Sequence, residues 1–89
     1  MAERTVTVAS KVGLHARPAT LISQAAAKLA AAGTPVTIGL PGETAVRADS
    51  VLMLMTLGAV NGTQVVVAGE SQEAVDTIAA MVETDLDAD

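Results

Sequence analysis

Residues 49–59 read DSVLMLMTLGA, and the fold turns on whether VLMLM within it is a strand or a helix. As a strand it would be buried on both faces and would pair with QVVVA, residues 64–68, across the Asn61-Gly62 turn signal. Periodicity alone does not separate the two states for so short an apolar run. The flanks do. Asp49 and Ser50 offer a cap to the first N–H groups of a helix, Leu and Met are better helix formers than strand formers, and Gly58 can close the last turn. We read the segment as a short helix.

Working outward, each neighbouring element carries its own punctuation. Residues Arg4 to Val8, RTVTV, alternate polar and β-branched side chains as a half-buried strand should, and Ser10 to Gly13 leads out as a loop. From Ala16, the residues Ile22, Ala25, Ala26 and Leu29 recur at helical spacing, and Gly33 with Pro35 ends that helix after about four turns. VTIGL, residues 36–40, is a second strand, Pro41-Gly42 fits the centre of a type II turn, and a short third strand over Thr44 to Arg47 returns beside it. QVVVA is the fourth. Ser71 caps the last helix, Glu73 lies in its first turn, and Val75, Ile78, Ala79, Val82 and Leu86 form its apolar stripe, with the acidic tail DLDAD expected to fray. The order is βαββαβα. Each helix has one apolar stripe, and there are too few residues to cover both faces of a sheet. The predicted fold is therefore α+β: an open-faced β-sandwich, with a four-stranded antiparallel sheet and three helices on one face.

Composition narrows what such a fold can do. A chain of 89 residues is about one small domain, so residues 1–89 are expected to form a single unit. Half of it is hydrophobic (51%), yet Phe, Tyr and Trp are absent, so the core must come from Val, Ile, Leu, Met and Ala. Ten acidic against five basic residues give a net charge of −5, the wrong sign for a phosphate-rich partner, and no ring is available for stacking. Nucleic acid is thereby excluded as a partner. Without cysteine there is no disulfide framework or thiol nucleophile, and the opening MAERTVTV lacks the apolar run of a signal peptide or membrane span. The expected setting is the cytoplasm, with no insertion into a membrane.

The only histidine of the chain stands in GLHARPA, residues 13–19. Proline lacks an N–H and is tolerated only in the first turn of a helix, so Pro18 requires a helix start within about three residues before it. With Pro18 third in the helix, His15 is the N-cap, and the N–H groups of Ala16 and Arg17 lack the acceptor that Ser, Thr, Asp or Asn would supply. Those donors, the positive end of the helix dipole and the Arg17 guanidinium all favour an anion, and an imidazole there could hold a phosphoryl group within their reach. Gly13 lets the loop approach closely. A solvated or merely capping histidine competes with this reading, and the residues alone leave the two about even.

GLHARPA resembles the active-site signature of the HPr family, the histidine-containing phosphocarriers of the bacterial phosphoenolpyruvate-dependent sugar phosphotransferase system. The run SVLMLMTLGA, residues 50–59, resembles the second signature of that family, and size and element order agree over nearly the whole chain. The resemblance implies a stoichiometric carrier rather than an enzyme. It would accept a phosphoryl group from phosphorylated enzyme I on Nδ1 of His15, with Arg17 attending the phosphate, and pass it to the A components of sugar permeases. No metal cage, P-loop or general-base cluster is present, so no metal or cofactor is expected, and the partner must complete the transition state.

Five consecutive apolar residues, Val51 to Met55, cover more than a full turn and cannot all face one sheet. Some must face water, and a patch with methionines suits a protein that meets several partners. Leu52 and Met55, helped by Val51 and with Arg47 at the rim, are the candidate docking residues; a plain core strand is the competing reading. Ser50 also has two readings. It is a helix cap, or it is the serine that an HPr kinase/phosphorylase modifies in Gram-positive relatives, where a phosphate would put close to −2 charge into the docking patch. The sequence departs from the regulated pattern at Asp49, where those relatives carry a basic residue, and near Pro41 to Thr44, where it is longer. A regulatory or nitrogen-type relative is the alternative function. A site that meets two partners in turn should stay uncovered, so a monomer is expected.

Overall fold

In the computed structural model, which describes residues 1–11 and 13–85, the chain runs β1 (Ala2–Thr7), α1 (Ala16–Ala31), β2 (Val36–Gly39), β3 (Val46–Arg47), α2 (Val51–Thr56), β4 (Gln64–Gly69) and α3 (Gln72–Val82). VLMLM is thus helical. The Ser50 hydroxyl accepts from the Met53 N–H at 3.3 Å, and Gly58, at φ +66°, turns the chain away after Leu57. The Asn-Gly pair does not close a hairpin. It belongs to a turn in which Thr63 N–H bonds to the Val60 carbonyl at 3.0 Å with Gly62 at φ +89°. This is a type II arrangement, in which only the second central residue needs a positive φ.

The four strands form one antiparallel sheet in the order β1-β4-β2-β3. The three helices pack on one face of it, as the βαββαβα order predicts. All four strands differ by one or two residues at an end from their sequence expectation, with β2 ending at Gly39 and β4 reaching Gly69. Pairing Ala2 with Gly69 and Thr7 with Gln64 sets β1 two residues earlier than RTVTV alone indicates, and β3 shortens to the two residues that pair with Ile38 and Thr37. Pro41-Gly42 forms the expected turn, with Gly42 at φ +80° and Glu43 N–H bonded to the Leu40 carbonyl at 3.0 Å.

The core is aliphatic throughout. Ile22 of α1, Leu54 of α2 and Val75, Ile78 and Val82 of α3 meet Val6, Ile38, Val65 and Val67 of the sheet, all buried. Ala26 is buried with Ile22, while Ala25 and Leu29 are partly buried at the edge of the same cluster. Four of the five residues expected on the α3 stripe lie in the core; Leu86 and the rest of the acidic tail after Asp85 lie outside the described residues. Arg4, on the same face of β1 as Val6, ties the sheet to α3, reaching Asp76 at 3.4 Å and Glu83 at 3.0 Å.

Candidate functional site

The first turn of α1 is built by Pro18. Ala16 and Arg17 occupy the first two helical positions and Pro18 the third, which makes His15 the N-cap, with φ −84° and ψ −174°. The His15 carbonyl accepts the first intrahelical bond from Ala19 N–H at 2.8 Å. Its imidazole makes no capping hydrogen bond. A serine cap elsewhere in this chain bonds the N–H at the third helical position, as Ser50 and Ser71 do with Met53 and Ala74. Pro18 has no such N–H to offer. The donors of the first turn are then those of Ala16 and Arg17, ahead of any intrahelical acceptor. The first turn contains no acidic residue, so nothing there opposes an anion at the positive end of the dipole.

Exposure suits a group that must be handed on: His15, Ala16 and Arg17 all reach solvent, while Pro18 and Ala19 are buried beneath them. The loop before them is pinned at Leu14, whose N–H bonds to the Ala59 carbonyl at 2.9 Å. Leu14, His15, Met55, Gly58, Ala59 and Val60 line a shallow hollow of about 120 Å³. Met55 of α2 therefore lines the same hollow as the histidine.

The other expected docking residues divide. Leu52 is 71% exposed and Met55 41%. Val51 is half-buried and packs against the core. The Arg47 guanidinium bonds to Asp49 at 3.1 and 2.8 Å, and Arg47 lines a different hollow with Pro35, Val36 and Gly69. Ser50 is half-buried with its oxygen engaged as the α2 cap. Sequence reasoning passed over Val60, 63% exposed at the rim of the His15 hollow, and the exposed Met53 and Leu21. Leu21 carried a signal, since it falls outside the Ile22–Ala26 stripe and four residues after Arg17, on the Arg17 side of α1. Among the described residues, no group of three or more His, Cys, Asp or Glu gathers as a metal site, and no helix is long and apolar enough to cross a membrane.

Known proteins resemble this chain in sequence and in fold. The family model described as PTS HPr component phosphorylation site matches residues 2–84. Phosphocarrier protein HPr of Streptomyces coelicolor is 43% identical over 74 residues, which is 83% of this chain and 76% of that protein. Among solved structures, a phosphocarrier protein HPr from Bacillus anthracis has a TM-score of 0.80 at 31% identity, covering 91% of this chain and 95% of that one. The Bacillus subtilis catabolite repression protein Crh, described as a dimer with a swapped domain, has a TM-score of 0.68 at 35% identity over 93% and 94% of the two chains. The chain belongs to the HPr family. It is a stoichiometric phosphoryl carrier that works through histidine, not an enzyme, and the family acts between enzyme I and the A components of the phosphotransferase system.

Proposed function

We propose that His15 takes the phosphoryl group on Nδ1 from phosphorylated enzyme I and gives it to the A components of sugar permeases. The helix start carries this reading: an exposed N-cap imidazole with no capping bond, above the Ala16 and Arg17 N–H groups and a proline that removes the next donor. The Nδ1 lone pair forms a bond to phosphorus as the bond between phosphorus and the donor breaks, and that electron pair returns to the donor atom. The Nε2 proton of His15 leaves to solvent and the donor takes one up, so the phosphoimidazole is left neutral in its ring. Backbone donors at Ala16 and Arg17, with the Arg17 side chain, meet the phosphoryl oxygens. Holding by so few groups suits a phosphate that must leave again.

Docking is carried by the exposed apolar face of α2, chiefly Leu52 and Met55, with Val51 beneath them and Arg47 at the rim. For Ser50 we favour the cap over regulation by an HPr kinase/phosphorylase. Its oxygen already accepts from Met53 N–H, and Asp49 brings a carboxylate to the neighbouring position. The chain works as one monomeric unit in the cytoplasm. The likeness to Crh favours a second reading, a regulatory or nitrogen-type relative, but a corepressor that acts only through serine phosphate has no use for His15.

Incubation with phosphoenolpyruvate and a matched enzyme I separates these. Wild type is expected to gain one acid-labile phosphate, lost in His15→Ala; an unlabelled wild type refutes the carrier reading. Met55→Glu puts a carboxylate against the hollow. It is expected to keep the fold and to slow transfer from enzyme I by at least tenfold, and an unchanged rate removes Met55 from the docking face.

A further inference from the structure

The loop that delivers His15 to α1 is held by a side chain far along the sequence. The Asn61 amide nitrogen donates to the carbonyls of Ala9 at 3.1 Å and Ser10 at 3.3 Å, and lies 3.5 Å from that of Val8. An amide NH2 has two hydrogens, so the two shorter contacts take them. The Val8 carbonyl is served instead by the Gly62 N–H at 3.0 Å. The Ser10 carbonyl also receives the Gly13 N–H at 3.0 Å, and Leu14, next to the histidine, bonds back to Ala59. Both ties on the approach to His15 thus lead to residues 59–61. Gly13 is where the two backbones touch. It is buried at φ +73°, and a Cβ there would collide with the Ala59 carbonyl oxygen and stand 2.8 Å from the Val60 Cα.

We propose that Asn61 is a positioning residue for phosphoryl transfer. It touches no reacting atom. By fixing the Ser10 carbonyl, and through it Gly13, it sets where the His15 imidazole stands relative to the Ala16 and Arg17 N–H groups. Transfer rates are sensitive to such placement, since an error of about 1 Å at a reacting group costs on the order of a hundredfold. The amide is separable from the fold. Val8 and Thr63, and Gly62 and Val8, keep their backbone bonds without it, and no non-glycine described residue has a positive φ, so Asn61 can be replaced without backbone strain. The proposal rests on His15 being the phosphoryl acceptor.

The test uses the full chain as wild type, Asn61→Ala, Asn61→Asp and Asn61→Gln. Single-turnover transfer from phosphorylated enzyme I is followed across carrier concentrations, alongside the imidazole nitrogen resonances of His15. Asn61→Ala is expected to lower the saturating rate about tenfold with the half-saturating concentration within twofold, and to move the His15 resonances. Asn61→Asp should fall further, because its oxygens face carbonyl oxygens, and Asn61→Gln should recover part of the rate. A wild-type rate with unmoved His15 resonances in Asn61→Ala overturns the proposal. So does a slow Asn61→Ala whose resonances shift throughout α3, which marks general loss of fold. A wild type that takes no phosphate refutes the carrier reading instead, and the His15 resonances then decide the positioning role by themselves.

Discussion

Helices α2 and α3 start as helices of ordinary proteins do, and α1 does not. Ser50 and Ser71 each accept from the N–H three residues on, and α3 adds Glu73 in its first turn. At α1 the cap is an imidazole that makes no capping bond, the third position is proline, and the first turn has no carboxylate. All three starts face the same problem of N–H groups with no intrahelical acceptor. Two solve it with a serine hydroxyl, and the third has no side-chain cap bond. On the proposed function, the contact that Ser50 and Ser71 make at their helix ends is the one that a phosphoryl group on His15 would make at α1.

The substitution that tests this most severely is His15→Ser, which turns α1 into a helix of the other kind. Enzyme I should then transfer no acid-labile phosphate at all. Stability should rise by less than about 1 kcal/mol, because the new hydroxyl can reach only the second-position N–H, the third being Pro18. Urea unfolding beside the labelling assay checks both halves. A destabilised His15→Ser protein would mean that the imidazole itself supports the helix start, and the contrast between α1 and its neighbours would be weaker than drawn.

How far this contrast could be read beforehand depended on the range of the interactions concerned. The N-cap role of His15 was legible because proline chemistry acts over three residues, and the α2 helix was legible because Ser50 and Gly58 flank it. The start of β1 was misjudged because its register is set by β4, some sixty residues away. The ion pair of Arg47 with Asp49 is two residues long, yet the sequence presents Asp49 only as a cap candidate and as a departure from the serine-regulated pattern. Asn61 is visible as a turn residue, but not as the anchor of the His15 loop, since its acceptors lie 51 and 52 positions earlier. Nothing local in the sequence marks such a partner.

The smallest effects compare the two serine caps with one another. Ser71→Ala should cost about 1 kcal/mol, a fall in Tm of roughly 4–8 °C for a domain of this size. Its hydroxyl opens an eleven-residue helix whose Ala74 and Val75 are buried from the first turn, so the released N–H finds little water. Ser50→Ala should cost less, a few tenths of a kcal/mol. Met53, whose N–H it serves, is exposed, so solvent can replace the lost acceptor, and α2 is anchored mainly by Leu54, which is wholly buried. Thermal unfolding of the two variants checks the order. Were Ser50→Ala the more damaging, α2 would depend on its cap rather than on Leu54, and a phosphate at Ser50 would then disturb the helix beside the docking face as well as its charge.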